Sequence, residues 1–111
     1  MQLAKSDLSR PRQRLIEIMQ RLNWGRIEQL VVRDGEPVLN ARTRIIRNVR
    51  LGGREAARPE LGKDDFLLKA PVIELFEHLD RLGNGRVMKI EIRSGLPADL
   101  VFEQPEAEGL A

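Results

Sequence analysis

A chain of 111 residues, 41% of them apolar and 32% charged, has the length and composition of one globular domain with a single core, and is too short for two. It holds no cysteine, no tyrosine and one histidine, which excludes disulfides, thiolate chemistry and the usual Cys/His zinc patterns. Net charge is only +2, yet residues 1–63 carry fourteen Lys/Arg against seven Asp/Glu and residues 64–111 five against ten. A basic first half and an acidic second half suit a nucleic-acid surface or contacts between opposite poles of two molecules.

Residues 1–8 read as a loose leader without the apolar stretch of a secretion signal. No apolar run reaches the roughly 18–20 residues of a membrane span, so the expectation is a cytoplasmic protein with no membrane partner. Ser9 and Pro11 open a helix over 10–23, striped by Leu15, Ile18, Met19 and Leu22 at helical spacing and ended by Asn23 and Gly25. A strand follows over 26–33, and Asp34-Gly35 is a hairpin turn. The return strand starts near Val38, bends at Asn40-Ala41-Arg42, and is extended again over 43–51, with Ile45, Val49 and Leu51 on one side.

Gly52-Gly53 breaks that strand, and 52–63 is a flexible loop with three glycines and Pro59 among mixed charges. A second helix is capped at Asp64 or Asp65, with Leu68, Val72, Leu75, Leu79 and Leu82 as its seam. The seam runs through Pro71: either the helix kinks there, or a short first helix ends and Pro71 opens the main one, and the continuous seam favours one kinked helix. Gly83-Asn84-Gly85 closes it. A strand over 86–93, a Ser94-Gly95 turn, a return strand over 99–103 and an acidic tail over 105–111 complete the chain.

The two hairpins repeat. Residues 25–37 and 85–97 align at an offset of 60, with five of thirteen positions identical and three more exchanging one aliphatic for another. The helices align at an offset of 57, 16–22 over 73–79, with a three-residue insertion before the second strand. The expected fold is therefore α+β, built from internally duplicated αββ units over 9–51 and 64–104. Four or five antiparallel strands carry both helices on one face. Alternation in the second copy directs Met88, Ile90 and Ile92 inward, and the first copy then buries Leu30 and Val32.

Catalysis normally needs a tuned acid, base or nucleophile. The one histidine, His78, falls beside a buried helical stripe. Gly52-Gly53 lacks the setting of a phosphate loop, and Gly83-Asn84-Gly85 ends a helix where a dinucleotide site needs one to begin. The chain is thus read as non-enzymatic, with no cofactor and no metal. Arg42, Arg44, Arg47, Arg50 and Arg54 fall within thirteen residues that hold no acid, and Arg10, Arg12 and Arg14 form a second cluster. Arginine forks suit phosphate oxygens, which makes these eight the candidate nucleic-acid-binding residues. Arg44 and Arg50 are expected on one strand face and Arg47 on the other. The alternative is a protein-interaction module that self-associates, as a homodimer, through an open sheet face or an edge strand.

Overall fold

The computed structural model describes residues 3–52 and 66–103. The expectations for Arg54, for most of the 52–63 loop, for a cap at Asp64 or Asp65, and for the acidic tail lie outside the described residues. The fold is α+β, with two helices and a five-stranded antiparallel sheet.

Helix α1, Arg10–Leu22, begins where the Ser9 hydroxyl accepts from the Arg12 N–H at 3.4 Å, and Pro11 occupies the first turn, where its missing N–H leaves no bond unmade. It buries Leu15, Ile16, Met19 and Leu22, while Ile18 stands half-buried at the margin of the stripe. Helix α2, Ala70–Leu82, also carries its proline, Pro71, in the first turn. The expected kinked helix from Asp64 is corrected: Lys69 is the extended N-cap residue, and the helix starts at Ala70 with Pro71 in its first turn, where a proline is tolerated. Leu68 instead belongs to a two-stranded contact with the leader, in which Leu68 N–H donates to Leu3 O at 2.8 Å and Lys5 N–H to Phe66 O at 2.9 Å. The leader is tied down rather than loose.

Strand β1, Gly25–Arg33, turns through Asp34-Gly35 (φ 50° and 76°) into β2, Glu36–Val38. Both turn residues have positive φ, the geometry that matches the right-handed twist of a hairpin. The chain then folds tightly, with Asn40 Oδ1 accepting from Arg42 N–H at 2.8 Å and Thr43 Oγ1 from Asn40 N–H at 3.0 Å. It resumes as β3, Arg44–Arg47. The extended run expected over 43–51 ends as strand at Arg47, which is opposite Gly25, the first residue of β1; beyond it Asn48 N–H still donates to Trp24 O. Strand β4, Gly85–Arg93, turns through Ser94-Gly95 (φ 52° and 75°) into β5, Leu96–Phe102.

The order is β2–β1–β4–β5, with β3 paired to the same edge of β1 as β2. In the centre, Ile27 faces Ile90 and Leu30 faces Val87. Strict alternation fails at Gln29, whose φ of 59° makes a bulge. Ile27 and Leu30 thus share the buried face, as do Val87 and Ile90, and Val87 takes the place expected for Met88. These side chains, with Val32 and Ile92, join Leu15, Met19, Leu75, Phe76 and Leu79 of the helices in one buried cluster.

The two helices have thirteen residues each and start sixty residues apart, as do β1 and β4. The 57-residue helix alignment and its insertion are therefore corrected. Pro11 corresponds to Pro71, Leu15 to Leu75, and His78 to Ile18 in place of Arg21. Two further bonds correspond in the same way: Gly35 N–H donates to Gly83 O, and Gly95 N–H to Asn23 O, each at 2.8 Å. Each hairpin turn thereby closes the end of the other unit's helix.

Candidate functional site

The candidate arginines part company in the folded chain. Arg12, only 14% exposed at its side chain, is ion-paired with Asp80 and Glu36 and donates to Gly35 O at 2.9 Å. Its guanidinium lies 5.0 Å from the centre of the Phe76 ring. It is a tie between the units, spent on the fold. Arg10 and Arg14 are exposed on the first turns of α1. Eleven residues of helix, roughly 16 Å, separate Arg10 from Arg21, whose carbonyl accepts from Arg47.

Residues opposite one another in a sheet share a face. Arg47 is opposite Gly25, on the core side, while Arg44 is opposite Glu28, on the open side. These two arginines therefore stand on opposite faces, as the sequence implies. Arg50 lies past the end of β3 and has no strand face to share with Arg44. Arg42 is exposed in the turn before β3.

The open face is laced with charges of both signs. Arg26 donates to Glu28 at 2.7 Å, Arg44 is 3.8 Å from the same carboxylate, and Lys89 is 3.7 Å from Glu91. The hydrogen bond from Arg26 is the main reason that the Glu28 carboxyl is held below the ordinary glutamate range, with the charges of Arg26, Arg44 and Lys89 adding to it. Opposite charges side by side cancel at a distance, so this face is no uniformly positive platform.

Exposed apolar side chains stand on β3 and just beyond it. Trp24, Ile45, Val49 and Leu51 are exposed, Leu51 at 91%. Ile45 belongs to β3, and Trp24 is held at its end, where the Trp24 carbonyl accepts from Asn48 N–H at 2.8 Å. Among the described residues β3 pairs only with β1, which leaves its outer backbone groups without a strand partner. The site is a short edge strand bearing Ile45, with Val49 and Leu51 on the segment that follows it, Trp24 bonded to that segment, and Arg42, Arg44 and Arg50 interspersed. Of Ile45, Val49 and Leu51, expected on one side of a strand, only Ile45 lies in β3. Sequence reasoning did not bring Trp24 to Asn48.

A second feature lies at the other end of the sheet. A groove of about 520 Å³ runs between α2 and β5, with Leu75, Leu96, Leu100 and Phe102 lining it below a rim of Glu74, His78, Arg93 and Asp99. His78 is 4.0 Å from Glu74, and Arg93 is 3.8 Å from Asp99. Among the described residues no group of three or more His, Cys, Asp or Glu is placed to hold a metal ion, and no described helix is long and apolar enough to cross a membrane.

No protein family, curated protein or solved structure matches this chain. Function must be read from the chain itself.

Proposed function

We propose that this chain is a non-enzymatic interaction module, two αββ units related by internal duplication with both helices over one sheet face, which contacts further copies of itself through the β3 edge. One observation carries the reading: Ile45 of β3, Val49 and Leu51 on the segment just past it, and Trp24, bonded to that segment through Asn48, are all exposed, and β3 has no second strand partner among the described residues. Single exposed aliphatics need no explanation, but three within seven residues on and just past an unpartnered strand edge suit a strand-pairing surface. Tryptophan and arginine are also the residues that most often carry binding energy at protein interfaces.

Nucleic acid is the second reading. What favours it is the acid-free run from Arg42 to Arg50, with Trp24 near the end of β3 as a stacking surface. Three aliphatics on and just past the same edge, and the commitment of Arg12 and Arg47 to contacts within the chain, weigh against it. Sedimentation velocity tests the choice. The wild-type chain is expected to gain mass with concentration, and Leu51→Asp to weaken that association about tenfold, the worth of one buried leucine. A single-chain mass for the wild type at all concentrations, together with salt-steep oligonucleotide binding lost on replacing Arg42, Arg44 and Arg50, would transfer the edge to nucleic acid.

A further inference from the structure

We infer that the groove between α2 and β5 is the acceptor for the β3 edge of a second copy of this chain, so that the copies join head to tail. The inference rests on the reading of β3 as an interaction edge and names what that edge meets.

The two units differ at this place in a way that packing alone does not require. On the sixty-residue equivalence, His78 and Asp99 on the groove rim correspond to Ile18 and Leu39, and both of these pack against the core. Leu96 in the groove corresponds to Glu36, which is bound by the Ser9 hydroxyl and ion-paired with Arg12. The first unit thus fills its helix–strand seam with its own side chains. The second leaves leucines under a polar rim.

The groove also lies along an edge strand, since β5 pairs only with β4 among the described residues. An extended segment laid on such an edge gains main-chain hydrogen bonds, and its alternate side chains enter whatever pocket the neighbouring helix leaves. The matching apolar side chains are Ile45 on β3 and Val49 and Leu51 on the segment that continues from it, 51%, 61% and 91% exposed.

Charge selects this pairing over its rival. Two β3 edges side by side would set Arg42, Arg44 and Arg50 against their own copies. A β3 edge on β5 sets them near Glu74, Asp99 and Glu103, with Arg93 and the Arg93–Asp99 pair offsetting only part of that negative charge. Like charges in juxtaposition suppress the wrong partner more strongly than unlike charges reward the right one. A contact between two different patches is heterologous, so it generates rings or open chains and does not stop at a closed dimer.

Complementation between two variants tests this. The donor variant carries Arg44→Glu and Leu51→Asp, and the acceptor variant Glu74→Lys and Asp99→Lys. Each alone is expected to sediment as a single chain, and an equimolar mixture is expected to form one-to-one dimers that grow no further. The near-isosteric pair Glu74→Gln and Asp99→Asn serves as acceptor variant if the charge reversals melt early, and is expected to weaken association by about tenfold. An acceptor variant that associates as the wild type does, while the donor variant does not, would overturn the groove and leave the β3 edge standing. A donor variant that still associates would overturn both.

Discussion

Arg12 illustrates how far one side chain can depart from the company it keeps in sequence. Between Arg10 and Arg14 it reads as one of three basic residues on a helix start, yet its guanidinium reaches Asp80, Glu36 and Gly35 O and covers the Phe76 ring. Nothing in the local pattern distinguishes it, because its partners arrive from as far as 68 residues away. Removing it leaves Glu36 and Asp80 without their shared cation and uncovers the Phe76 ring. Arg12→Ala is therefore expected to lower stability by about 2–3 kcal/mol, below the range for a wholly buried pair because Asp80 is exposed. Arg10→Ala and Arg14→Ala, on exposed positions, are expected to stay within about 0.5 kcal/mol. Urea unfolding of the three variants checks the contrast, and equal effects would deny Arg12 its role as a tie.

Among the elements, those with local signals were the most legible. Ser9, Pro11 and Asn23 bound α1, and Asp34-Gly35 and Ser94-Gly95 both form the turns that their sequences announce. Pro71 admitted two readings, a kink or a start, and the continuous seam through Leu68 favoured the wrong one. The leader supplies Leu68 with another partner, which a helical pattern cannot reveal. The return strand was legible in its bend and not in its end, since its length is set by where β1 begins. Gly25 is the hinge of that arrangement. At φ 154°, a Cβ built on it would lie 2.0 Å from Ile46 O, so β3 can approach only a glycine. At Gly85, the corresponding position, a Cβ meets only the Leu82 side chain, 3.2 Å away. Gly25→Ala is expected to cost about 2–3 kcal/mol and to loosen β3, and Gly85→Ala no more than about 1 kcal/mol. Amide spectra that keep the β3 signals unchanged in Gly25→Ala would contradict this.

Across the whole molecule, the α+β class and the antiparallel sheet were legible in the two turn-closed hairpins, each following a helix; the two helices are equal in length, and each hairpin turn bonds to the end of the helix before the other hairpin. The arginine cluster was not legible as a surface. Its members lie close in sequence, but a strand sends neighbours to opposite faces, and the fold divides them among a core tie, an ion-paired sheet face and an exposed edge. What distinguishes the two units is their outer strands, broken and flanked by arginine in β2–β3, continuous and beside acids in β5. Amide hydrogen exchange on the wild-type chain, dilute and concentrated, reads these edges directly. The outward amides of β3 are expected to slow with concentration while those of central β1 and β4 stay as they are. Exchange at β3 that is indifferent to concentration, in a chain that nevertheless associates, would contradict it.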